Sequence, residues 1–136
     1  MAAENAKQVV AIGSAADIVA ARQEGRLLAS KLGFSASELT VIATAISEVA
    51  RNIVEHAGHG EIRLSLCREN GRAGICVVAS DEGPGIPDVG RALRDGYSTH
   101  KGLGLGLPGA RRLMDDFEVV SKVGHGTIVT MRKWGP

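Results

Sequence analysis

Glu48, Asn52 and Glu55 stand four and three residues apart in a stretch of helical period, which sets them on one helix face. That face lies roughly opposite the apolar stripe of Ile46, Ala50 and Ile53. An Asn oxygen is a neutral ligand for Mg²⁺, and a carboxylate one turn away can orient or deprotonate a nucleophile, as a metal-nucleotide site requires. A solvated polar face has the same composition. Asp81-Glu82-Gly83-Pro84-Gly85-Ile86 offers a second element: an Asp that can accept from an exocyclic amine, a glycine that lets a flat ring approach and a stiffening proline. Read alone, it is also an ordinary turn. Gly102-Leu103-Gly104-Leu105-Gly106-Leu107 alternates glycine ahead of a helix, so backbone N–H groups and a helix N-terminus are free to meet phosphate. The GK[ST] of a P-loop is missing. Arg91, Arg94, His100 and Lys101 are cations within reach of a polyphosphate, and Gly124-His125-Gly126-Thr127 is a tight turn whose Thr can bond a ring edge.

The elements that must hold these groups are legible from period and punctuation. Gln8–Ile12 predicts a short strand, and Ser14 an N-cap for a helix carrying Ile18, Val19, Leu27, Leu28 and Leu32, with Gly25 weakening its middle and Gly33 closing it. Ser35 or Ser37 opens a second helix, which has a stripe from Leu39 to Ile53 and ends near His56. Alternation at Ile62, Leu64 and Leu66, the turn Asn70-Gly71 and the run Ala73–Ala79 predict a hairpin ended by Pro84 and Pro87. A helix from about Leu105 to Asp116 and a hairpin of 119–121 with 127–131 complete the order β-α-α-β-β-loop-α-β-β. We read this as an α+β two-layer sandwich, its mixed, mostly antiparallel sheet covered by helices on one face, with residues 1–136 forming one domain.

Composition narrows the function. A formal charge of +1 and an aromatic content of 3% argue against a nucleic-acid partner. The N-terminal residues lack a signal-peptide pattern, and no apolar run reaches the roughly 18 residues of a membrane span, so a cytoplasmic location with no membrane partner is expected. Cys67 and Cys76 have no CxxC spacing and are expected as buried thiols on neighbouring strands, while His56 and His59 have no third ligand and His125 is expected to face solvent.

Taken in order, ISEVARN, DEGPGI, GLGLGL and GHGT resemble the N, G1, G2 and G3 boxes of the Bergerat (GHKL) ATP-binding fold shared by gyrase, Hsp90, histidine kinases and MutL. The resemblance spans nearly the whole chain. At this length the dimerisation and phosphoacceptor helices of a sensor kinase and the transducer domain of gyrase are not expected. DIVAARQEGRLLASKLGFS, TAISEVARNIVEHAG and GLGLGLPGARRLMDDF are similar to the RsbT-type serine/threonine switch kinases, relatives of the anti-sigma-factor kinases.

The resemblance implies ATP and Mg²⁺ as cofactors, Glu48 as the base for a substrate hydroxyl, Asn52 as the Mg²⁺ ligand and Asp81 as the adenine acceptor. It also implies that Gly83, Gly85, Ile86, Gly102, Leu103, Gly104, Leu105 and Gly106 line the nucleotide, that Thr127 closes the adenine pocket and that Thr99 and Lys101 reach the phosphates. Implied partners are STAS-domain proteins, as substrates and sequestering scaffold in a stressosome pathway, and a PP2C-type phosphatase. The alternative is an anti-sigma factor that sequesters a sigma factor and phosphorylates its antagonist.

Overall fold

The computed structural model describes residues 7–94 and 106–136. Strand β1 (Lys7–Ile12) leads to helix α1 (Ala15–Ser30) and helix α2 (Ala36–His56), followed by strands β2 (Gly60–Glu69) and β3 (Arg72–Asp81). A short helix α3 (Val89–Ala92), helix α4 (Gly106–Leu113) and strands β4 (Asp116–Lys122) and β5 (Gly126–Trp134) complete it.

Local chemistry sets the boundaries. Ser14 caps α1 by accepting the Asp17 N–H, and Gly13 N–H donates to the Asp17 carboxylate at 2.9 Å. At α2 the cap is Ser35 and not Ser37. Its hydroxyl accepts the Glu38 N–H at 3.1 Å while its own N–H donates to Glu38 Oε1 at 2.9 Å, a reciprocal box that satisfies two orphan donors. Asn70 and Gly71 both take positive φ, 54° and 80°, as a two-residue hairpin turn requires.

The sheet order is β1-β2-β3-β5-β4, and every neighbouring pair is antiparallel, so no parallel strand mixes in among the described residues. The helices cover one face. There Ile42, Ile46, Val49 and Ile53 of α2 meet Ile62, Leu64, Ile75, Val77 and Met131 of the sheet, all of them buried. Gly25 is itself buried in α1, and a Cβ there would run into Ile46 Cδ1. It lets α1 and α2 approach closely instead of merely weakening its helix. Ile18 and Leu28 are buried as expected, but Val19 and Leu27 face outward, because α1 packs only along its Ala21–Gly25–Leu28 line.

Two element boundaries differ from the sequence expectation in ways that matter for the site. β3 runs on to Asp81, which pairs with both Gly60 and Thr127. β4 begins at Asp116, so α4 stops at Leu113, sooner than the periodicity suggests. The sheet's second face is open, with Val9, Val120 and Ile128 exposed. Cys67 and Cys76 lie on that face and are half-buried, a correction to their expected burial. Burial, together with the neighbouring Cys76, pushes the Cys67 thiol above the usual range, and Arg132 partly offsets the rise.

Candidate nucleotide site

α2 carries Glu48 and Asn52 to the rim of a cavity of ≈ 280 Å³ whose other walls are the end of β3, the loop after it, the first turn of α4 and the start of β5. Glu48, Arg51, Asn52, Glu55, His56, Asp81, Pro84, Gly85, Ile86, Pro87, Ala92, Gly106, Leu107 and Thr127 line it. Thus Glu48, Asn52, Asp81, Gly85, Ile86, Gly106 and Thr127, far apart in sequence, meet in one hollow. Gly83 does not line it, and neither do the exposed Arg91 and Arg94. Thr99, His100, Lys101, Gly102, Leu103, Gly104 and Leu105 lie outside the described residues.

Glu48 is not on a wet face. It is 3% exposed, because α4 docks Leu107 and Ala110 over that side of α2. Its Oε1 accepts the Gly106 N–H at 3.0 Å, and its Oε2 accepts from Arg51 Nη1 at 3.0 Å. The carboxylate therefore sits against a helix N-terminus and a guanidinium, each donating to one of its oxygens. Arg51, three residues along the same helix, lies inside the ISEVARN stretch but has no role in the sequence reading; its i,i+3 spacing to Glu48 is the signal in the sequence that marks it. Asn52 is half-buried, and Glu55 at the rim is exposed.

Asp81 is braced from below. Its Oδ1 accepts the Gly83 N–H at 2.9 Å, and Oδ2 has no partner among the described residues. Gly83 thus serves Asp81 rather than the hollow, and a Cβ on it would lie 2.5 Å from Ala57 Cβ at the α2 C-cap. The loop beyond is stitched to the β4–β5 turn: Gly124 N–H donates to the Pro84 carbonyl at 2.9 Å and Ile86 N–H to Ser121 Oγ at 2.7 Å. Ser121 also bonds Thr127 Oγ1 at 2.8 Å and the Gly126 carbonyl at 3.1 Å. Ser121 lies outside every motif, although counting back across the turn pairs it with Thr127. Thr127 is 5% exposed, so its hydroxyl reaches nothing but this network and the hollow.

A divalent cation would find one carboxamide oxygen here, on Asn52, and among the described residues no three His, Cys, Asp or Glu side chains are placed to hold a metal ion together. That donor set suits a cation arriving with phosphate oxygens and does not suit a resident metal.

The family model for the histidine kinase-like ATPase domain matches residues 13–133. The serine/threonine-protein kinase RsbT of Bacillus subtilis is 48% identical over 130 residues, 96% of this chain and 98% of that one. The chain belongs to the histidine kinase-like ATPase family, as a serine/threonine protein kinase of the RsbT type. An anti-sigma F factor of Caldanaerobacter subterraneus, 33% identical over 113 residues, covers 78% of the chain and is itself covered to 77%. The RsbU and RsbW domains of a Mycobacterium tuberculosis protein superpose with TM-score 0.61 at 18% identity, over 96% of this chain and 32% of that one. The mycobacterial sensor histidine kinase MprB superposes with TM-score 0.56 at 15% identity, over 96% of this chain and 97% of that one. These two likenesses establish the α+β fold of a histidine kinase-like ATPase. Membership of that family implies nucleotide use by this chain. No described helix is long and apolar enough to cross a membrane.

Proposed function

We propose that this kinase works in the cytoplasm and transfers the γ-phosphoryl group of Mg-ATP to a serine or threonine hydroxyl on a STAS-domain regulatory protein of a stressosome-type, partner-switching pathway. It would also bind and activate a PP2C-type phosphatase. The supporting observation is convergence: a buried carboxylate, a carboxamide one turn away, a braced Asp and a buried Thr line one hollow beside a helix N-terminus.

When bound, Mg-ATP supplies the phosphoryl group and much of the charge neutralisation that such transfers need. Glu48 takes the proton of the incoming hydroxyl as the new O–P bond forms and ADP leaves. A carboxylate has about four acceptor positions, and Gly106 and Arg51 each occupy one on Glu48. It can therefore receive the proton without releasing either partner. Asn52 would hold the cation, and the α4 N-terminus would meet the phosphates. Asp81 Oδ2 accepts from the adenine amine, and Thr127 and Ile86 close the pocket around the ring. Thr99, Lys101 and the run from Gly102 to Leu105 would complete the phosphate side.

The anti-sigma F factor relatives favour a second reading, a nucleotide-dependent anti-sigma factor that phosphorylates its own antagonist. Incubation with labelled Mg-ATP and purified STAS proteins, beside pull-downs against STAS proteins, phosphatase and sigma factor, separates the two. Label on a STAS protein with phosphatase captured supports the first reading. Sigma factor captured alone overturns it.

A further inference from the structure

The hydroxyl of Ser121 has three neighbours, and only one placement of its hydrogen lets all three bonds form at once. The Gly126 carbonyl, 3.1 Å away, can only accept, so Ser121 O–H donates to it. The Ile86 amide, 2.7 Å away, can only donate, so it takes one Ser121 lone pair. With its single hydrogen committed, Ser121 meets Thr127 Oγ1, 2.8 Å away, as an acceptor, and the Thr127 hydrogen must point at Ser121. One donor and two acceptor positions are then all used. Thr127 is left with lone pairs alone to offer the hollow it lines. Asp81, the other group there placed to read a base, offers the hollow a carboxylate oxygen, which accepts.

We infer that Ser121 is a specificity-determining positioning residue: by fixing the Thr127 hydroxyl as an acceptor, it makes the base-reading wall acceptor-only and selects a purine bearing an exocyclic amine over one bearing a carbonyl at the same edge. The inference rests on the nucleotide reading of the site. It goes beyond that reading by assigning base selectivity to a residue outside all four boxes. A guanine-type carbonyl would meet lone pairs with no proton between them, and such a mismatch of buried polar groups discriminates far more strongly than a missing methylene. Ser121 also joins the loop after β3, through Ile86, to the β5 start, through Gly126, so both walls keep one register.

The test is competition of Mg-ATP and Mg-GTP against a fluorescent adenine nucleotide, on the wild-type chain and on Ser121→Ala, Ser121→Thr and Thr127→Val, with thermal melting as a folding control. Wild type should prefer ATP. In Ser121→Ala the Thr127 hydroxyl is free to turn and donate, so the ATP/GTP affinity ratio should drop by about tenfold, the scale of one buried hydrogen bond. Ser121→Thr keeps the hydroxyl and should restore the ratio. If Ser121→Ala does not fold, Thr127→Val carries the test, because it removes the acceptor and should collapse the same ratio. An unchanged ratio in a folded Ser121→Ala or Thr127→Val overturns the proposal, as does a wild type that binds both nucleotides equally. A wild type that binds neither nucleotide defeats the underlying site reading instead.

Discussion

A carboxylate that is 3% exposed needs donors for its oxygens, and Glu48 has two, one from its own helix and one from α4. Glu48→Gln keeps the shape and one acceptor oxygen but removes the basicity. Phosphoryl transfer to a STAS substrate should fall by roughly 10²–10⁴, with Mg-nucleotide affinity changed only a few-fold. Transfer at the wild-type rate in this variant would remove Glu48 as the base. Asp81→Asn probes the other wall. The Asn oxygen can still accept from Gly83, so the turn survives, whereas the position facing the hollow loses its charge. Adenine-nucleotide affinity should drop about 10- to 100-fold, the range for a charge-assisted hydrogen bond. Unchanged affinity would remove the adenine role. Residue type and order make Glu48, Asn52, Asp81 and Thr127 legible in the sequence itself. Burial of Glu48 is not legible there, because it depends on α4, which lies 58 residues further along the chain. Ser121 escapes for a related reason: a serine in a strand acquires meaning only when register brings Ile86 and Gly126 to it.

Elements matter here through how closely they approach one another. Gly126 has φ +100°, and a Cβ on it would strike the Asp81 carbonyl oxygen. β5 therefore lies against the end of β3 only because position 126 has no side chain. Gly126→Ala should lower stability by about 1–3 kcal/mol, through strain at positive φ and overpacking. It should also weaken nucleotide binding, since the clashing atom belongs to Asp81, the residue proposed to read adenine. Denaturant melts and nucleotide titration on one sample check both; full affinity in Gly126→Ala would show that the two walls are independent. Caps and the Asn70-Gly71 turn are readable from sequence because they are local events of a few residues. The end of α4 is not, because its apolar period continues into Met114 and Phe117, where β4 takes over in the sheet edge. Val19 and Leu27 mislead for the same reason: period locates an apolar stripe, but the width of the stripe that is buried depends on the partner helix.

For the whole molecule, the question is whether catalysis and partner switching use the same chemistry. The hollow opens between α2, α4 and the loop after β3, on the helix-covered layer, whereas the second sheet face is open and bears exposed Val9, Val120 and Ile128. Glu48 is buried, so it contributes nothing to any outer surface that a partner protein could read. A substitution that removes its basicity while preserving its packing should therefore silence transfer and leave the docking surfaces intact. With the proposed partners, the expected result is that Glu48→Gln, loaded with Mg-ATP, activates a PP2C-type phosphatase to the same extent as the wild-type chain while leaving STAS proteins unphosphorylated. Phosphatase turnover and label incorporation, measured on one preparation, give both numbers. If activation disappears together with transfer while the variant still melts as a folded protein and still binds nucleotide, the two outputs share a step at Glu48. The switch would then run through the chemistry itself and not through exchange of partners on a separate surface.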